Sequence, residues 1–299
     1  MMTIPDEIDL SQYLRSAVDI RARVKRISDY HEEMRESFAH HESGLHDARM
    51  SSTKLRDAIE FRPGEVTVWA GYNGHRKSTF AGQVALDLMQ QNERVLIASF
   101  EMRASDTLKR MARQALATKN PNSYALKEFS DWTNNRGWVF DHLGEITPER
   151  CIAVCRYFAE ELKGRHVFID SMMMVVASEE HLDGQKQFIT ALVRLAIETG
   201  THVHLIAHCR KPQGAGTETK PPTKYDIRGS SAISDQAHNV ITIWCDKSGN
   251  EDSCDFIATV EKQRNGAWEG RVKLWFDAAT MRFTDDNRFA VSAYDGLRA

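Results

Sequence analysis

"EVTVWAGYNGHRKSTF", residues 65–80, is a β-rich run that ends in Gly71, followed by a short polar loop and a stretch of helix formers from Lys77. Gly71, Lys77 and Ser78 stand at the spacing of the phosphate-binding pattern G-x-x-x-x-G-K-[S/T]. In that pattern backbone N–H groups and the positive end of the following helix cradle phosphates. The lysine reaches the terminal phosphate oxygens and the hydroxyl ligates Mg²⁺. The expected nucleotide contacts are therefore Gly71, Tyr72, Asn73, Gly74, His75, Arg76, Lys77, Ser78 and Thr79. One position breaks the pattern: Arg76 stands where the second glycine belongs. A glycine there lets the backbone approach phosphate closely. An arginine adds Cβ bulk and a further cation, so the expectation is weakened nucleotide binding on an intact fold.

Outward from this loop the chain alternates between strand and helix patterns. β-rich runs recur at 94–100, 166–170, 202–207 and 240–244, with further candidates at 255–261 and 271–276. Counting the opening run 65–70, helical patterns at 77–90, 104–117, 147–163 and 183–199 separate the first four runs. Nearly continuous apolar strands between amphipathic helices predict an α/β fold, a mainly parallel central sheet flanked by helices. The late strands, on shorter connections, predict antiparallel pairing. Residues 8–42 carry Ile8, Leu10, Leu14 and Val18 on one helical face, a seam too thin for a private core. The expected division is a helical arm and linker over 1–48 and an α/β domain over 49–299, with the phosphate loop in the latter.

Ligand sites in such sheets lie at the carboxyl ends of the strands, and those ends carry chemistry here. "ASFEM" puts Glu101 at a strand tip, where a carboxylate can orient or deprotonate water. "HVFIDS" ends a buried strand in Asp170, placed to organise a Mg²⁺ shell together with Ser78. "LIAHCR" places His208 at a third tip. Each of the three also has a bland reading as a solvated or turn-forming strand end. The segment 210–231 then carries Arg210, Lys211, Lys220, Lys224 and Arg228 against Glu218 and Asp226. That local basic excess suits a nucleic-acid backbone, and on composition a solvated loop explains it equally well. "VEKQRNG" closes a strand with Lys262 and Arg264, whose side chains point the same way.

Composition narrows the classes. A net charge of −3 gives no global basic signature, so any nucleic-acid contact must be local. No apolar run approaches the ~18 residues a membrane span needs, and "MMTIPDEIDL" lacks the apolar core of a secretory signal. Five cysteines without pairing spacing suggest a reducing cytoplasm. Cys151 and Cys155 share a helical face and read as core; His40, His41 and His46 make a poor metal set without cysteines.

Together these motifs resemble the RecA-like motor domain of the hexameric replicative helicases, the DnaB family and, more closely, the helicase half of phage primase–helicases. The resemblance covers roughly residues 50–285. It implies that Glu101 of "SFEM" is the catalytic base and that Asp170 of "VFIDS" is the magnesium-associated carboxylate. It also implies that His208 of "IAHCRKP" senses the terminal phosphate. "DIRGSSAISDQAHNVI" resembles the segment that touches single-stranded DNA, which maps to Arg228, Gly229, Ser230 and Ser231, with Lys211, Lys220 and Lys224 alongside. "KQRNG" resembles the trans-acting finger, Arg264, with Lys262 as companion. The implied cofactors are ATP or another NTP and Mg²⁺. The implied partners are single-stranded DNA, five further copies in a homohexamer with nucleotide at the interfaces, and a primase or loader. Residues 1–48 would be the linker arm that family members lay on the adjacent subunit, without a primase or a DnaB-type N-terminal helical domain. Two other readings use the same residues: a recombinase-type DNA-dependent ATPase, and a non-hydrolysing DNA-binding or loader subunit with its loop impaired by Arg76.

Overall fold

The computed structural model describes residues 2–4, 11–13, 26–42, 47–176, 182–211, 219–247, 256–286 and 290–297. The strands are β1 Met2–Ile4, β2 Ala48–Arg49, β3 Glu60–Phe61, β4 Val66–Gly71, β5 Val95–Ser99, β6 Gly137–Phe140, β7 His166–Asp170, β8 His202–His208, β9 Asn239–Cys245, β10 Phe256–Gln263, β11 Gly270–Asp277 and β12 Arg282–Thr284. The helices are α1 His31–Glu42, α2 Thr53–Arg56, α3 Lys77–Gln90, α4 Ala104–Leu116, α5 Ser123–Thr133, α6 Pro148–Glu160, α7 Met172–Val175, α8 Leu182–Thr199 and α9 Ala232–Gln236.

One large sheet runs in the order β1-β6-β5-β7-β8-β4-β9-β10-β11-β12. It is parallel as far as β9 and antiparallel beyond, as the short late connections predicted. Every residue of β4, β5, β7 and β9 is buried, which is why these strands read as unbroken apolar runs. On one face α6 and α8 cover a core that includes Val68, Leu96, Ile169, Leu205 and Phe188. On the other, α3, α4 and α5 cover Trp69, Ile97, Phe168, Leu86 and Met111. The α6 start is fixed chemically: the Thr147 hydroxyl accepts from the Arg150 N–H, and Pro148 fills the first turn.

The sequence reading omits α5 and β6, which lie between α4 and α6, and the closing strand β12. Residues 1–48 are expected to form a helical arm lying on the main domain or on a neighbouring subunit; within them β1 pairs in parallel with β6 at the sheet edge. Tyr13 packs edge-on against Tyr157, and its hydroxyl donates to Glu161. Much of the predicted seam, Ile8, Leu10, Leu14 and Val18, lies outside the described residues. So does the middle of the basic loop, 212–218. Described cysteines Cys151, Cys155, Cys209 and Cys245 are buried thiols. No described helix is long and apolar enough to cross a membrane.

Candidate nucleotide and nucleic-acid site

β4 lies between β8 and β9, with Gly71 opposite His208 on one side and Ile243 on the other. A Cβ on Gly71 would lie 2.5 Å from the Ile243 carbonyl oxygen, so close packing of the strand tips excludes any larger residue. Asp170 ends β7 next to β8. The loop 72–76, Asp170 and His208 are thereby gathered at one end of the sheet, and Glu101 follows β5 there.

Lys77 is buried at the first position of α3. Its ammonium donates to the Tyr72 carbonyl at 2.9 Å and to His208 Nδ1 at 3.3 Å. Among the described residues no carboxylate lies within ion-pair distance of it. Burial draws its pKa below the ordinary range, opposed chiefly by the charge of Asp170. A desolvated ammonium held only by neutral acceptors, at the head of a helix, fits a polyanionic ligand. Asp170 is also buried; burial raises its pKa, and a hydrogen bond from Ser78 opposes the shift. A hydroxyl paired with a carboxylate in this way matches the donor set of a Mg²⁺ site.

Since Lys77 donates to Nδ1 of His208, its Nε2–H is the donor to Glu101 Oε1 at 3.2 Å. The Ser171 hydroxyl donates to the same carboxylate oxygen. The His208 bond is the main cause that holds Glu101 below the usual carboxylate range. An ionised Glu101 orients water well and is a weak proton acceptor, which favours the first of the two roles expected for it.

Arg76 adopts a left-handed backbone, φ 60° and ψ 22°. Its guanidinium carbon lies 3.8 Å from the centre of the Phe276 ring on β11. The side chain leaves the loop and stacks on a late strand, so the bulk it adds at the loop is its Cβ and the added cation is turned toward Phe276. Two other loop residues also turn inward. The His75 ring accepts from the Cys245 N–H at 2.9 Å and pins the loop to the end of β9. The Thr79 hydroxyl accepts from Arg110 at 3.3 Å. For these two, only the main chain is available as a phosphate contact. Asn73 and Gly74 are exposed at the loop tip. Lys247 was missed by the sequence reading: its ammonium lies 3.5 Å from the point a Cβ on Gly74 would occupy.

The basic segment is tied to the nucleotide end through main chain. The Arg228 N–H donates to the His208 carbonyl at 2.8 Å, and Cys209 bridges Ile227. Gly229 has φ 101°, and a Cβ there would overlap Gln185 Oε1, the atom that accepts from the Ser230 N–H. Lys211, Lys220 and Ser231 are exposed, while Lys224 reaches the Glu261 carbonyl at 3.3 Å.

Lys262 and Arg264 do project together: both donate to the Asp235 carbonyl of α9, at 2.8 Å and 3.2 Å. They sit at the far end of the sheet from the loop. Gln263 is opposite Asn239, which is opposite Thr67 at the start of β4, whereas Gly71 is opposite Ile243. Four strand residues separate these levels, about 13 Å at ~3.3 Å per residue.

A family model for the DnaB-like helicase C-terminal domain matches residues 53–285. The chain belongs to that family. Two solved structures share the fold. One, an ATPase domain, aligns with TM-score 0.67 and 17% identity over 85% of this chain and 98% of that one. The other, a DnaB-like replicative helicase described with its interactions with primase, aligns with TM-score 0.70 and 17% identity over 88% of this chain and 67% of that one. The RecA-like architecture expected from the DnaB resemblance is the architecture observed.

Proposed function

We propose that this DnaB-like chain is the ATP-driven motor of a ring-shaped replicative helicase that moves on single-stranded DNA and separates the duplex. The observation that carries the reading is the double attachment of His208. Its ring joins Lys77 to Glu101, and its carbonyl holds Arg228. Any ligand that competes for the Lys77 ammonium therefore acts on the water-orienting carboxylate and on the basic segment through one residue.

In this reading the loop amides, Lys77 and Ser78 bind the phosphates of ATP. Ser78 and Asp170 hold Mg²⁺, which when bound neutralises charge on the β- and γ-oxygens. Glu101 orients the attacking water. Arg264 cannot reach its own chain's loop across the sheet, so it serves the site of a neighbouring subunit, with Lys262 fixing its base on α9. Residues Arg228, Gly229, Ser230 and Ser231, with Lys211, Lys220 and Lys224, hold the DNA backbone. We place the arm on the adjacent subunit: Ile27, Met34 and Phe38 are exposed on one stripe. A groove of about 570 Å³ between α4 and α5 offers Leu108, Ala112, Leu126 and Phe129 to receive it. The boundary of arm and motor then falls near residue 48.

The test is Mg²⁺-dependent ATP hydrolysis with and without single-stranded DNA, followed by unwinding of a forked duplex. DNA should accelerate hydrolysis, and Lys77→Ala should abolish it. A chain that binds DNA yet never turns over ATP would overturn the motor reading in favour of a non-hydrolysing subunit.

A further inference from the structure

Tyr225 is 82% exposed, although hydrogen bonds fix the turn that carries it on both sides. Thr223 and Asp226 cap the turn Lys224–Asp226 reciprocally, with the Thr223 N–H and hydroxyl both donating to the Asp226 carboxylate, at 2.7 Å and 2.9 Å. Pro222 and Ile227 are buried on either side. The Arg210 N–H holds the Asp226 carbonyl at 2.7 Å, and Lys224 is anchored on the Glu261 carbonyl. The ring is thus held out into solvent on a braced main chain. A large aromatic surface left in water in this way is a preformed contact whose ordering cost is already met.

The surroundings indicate the ligand. The Lys224 ammonium lies 5.6 Å from the ring centre, and Lys220 and Arg228 flank the turn. The nearest acid in sequence, Asp226, is turned into its own cap. Tyr225 is the one large exposed hydrophobic among the described residues 219–231, and a protein interface centres on a cluster of such side chains; an exposed ring among cations instead takes bases on the ring and phosphates on the cations. The same segment is bonded through Arg228 to His208, which ties it to the proposed nucleotide end.

We propose that Tyr225 stacks a base of single-stranded nucleic acid, adding a sequence-tolerant base contact to a segment otherwise built for the backbone. This rests on the reading of residues 220–231 as the DNA contact, and the test separates the two. Binding by the full chain is measured for an oligo-dT of about 20 nucleotides and for an abasic phosphodiester of the same length. Tyr225→Ala should weaken oligo-dT roughly 5- to 150-fold, the range of one base–aromatic stack, and leave the abasic strand bound as before. Tyr225→Trp should bind like the parent, and oligo-dT should quench its added fluorescence. Equal loss on both strands, no loss on either, or a change in assembly size with Tyr225→Ala would each overturn the stack. The double variant Lys220→Ala, Arg228→Ala should weaken both strands. If it weakens neither, the segment itself is not the DNA contact; if it does while Tyr225→Ala is silent, only the stack fails.

Discussion

Arg76 occupies backbone space that glycine visits freely and other L-residues reach at a cost of roughly 1–2 kcal/mol. Its stack on Phe276 returns about 0.5–1 kcal/mol. The two nearly cancel, so Arg76→Gly should shift Tm by less than about 3 °C and change ATP affinity less than about threefold; calorimetry of the paired proteins decides it. Glu101 belongs to the same scale. Because hydrogen bonds from His208 and Ser171 keep it ionised, Glu101→Gln, which loosens its hold on the water, should lower kcat by about 10²-fold while nucleotide still binds, as measured by single-turnover assay beside equilibrium binding. The strand-tip residues were legible in sequence because each follows a buried strand directly. The direction of the His75, Arg76 and Thr79 side chains was not, because their partners, Cys245, Phe276 and Arg110, are distant in sequence and only the finished sheet brings them near.

Among the elements, the starts of β7 and β8 carry a buried histidine cluster. Trp69 Nε1–H donates to His204 Nδ1 at 3.3 Å, which leaves the other ring nitrogen of His204 to donate to His166 Nδ1 at 3.3 Å. His202 lies between the Arg62 carbonyl and the Thr67 hydroxyl, at 2.7 Å and 2.8 Å. Burial pushes all three imidazoles below their ordinary value, His202 to about 3. Unfolded imidazoles take up protons near 6.5, whereas the folded ones resist. The unfolded chain therefore binds more protons below that pH, so stability is complete above it and falls on acidification. His202 alone should remove about 2 kcal/mol between pH 7 and pH 5. Denaturant titrations at both pH values test this, and His202→Gln should shrink the difference by about that amount. Gly229 is the corresponding point on the basic segment. Gly229→Ala meets Gln185 and a forbidden φ, and should cost about 2 kcal/mol, seen as faster amide exchange over 226–231. The long strands and helices could be read because their periodicity extends over many residues. α5 and β6 could not: β6 is the four-residue run Gly137–Phe140, fully buried without alternation, and Asn134 and Asn135 before it look like plain loop. β12 is shorter still and exists only as a partner for β11.

For the whole molecule, Lys77 and Arg264 lie at opposite ends of one sheet, so the proposed motor needs a second copy to bring a finger to each loop. In the proposed ring each interface would join one subunit's loop to its neighbour's finger. If the arm closes the ring, replacing Met34 and Phe38 with serine should lower assembly mass at a given concentration, read by light scattering. The most direct test of the composite site mixes two inactive proteins, Lys77→Ala and Arg264→Ala, and measures DNA-stimulated ATP hydrolysis. If the finger acts in trans, about one interface in four of a randomly mixed ring regains both groups, and hydrolysis appears that neither protein shows alone. Mixed rings verified by mass that remain as inactive as their parents would contradict the account.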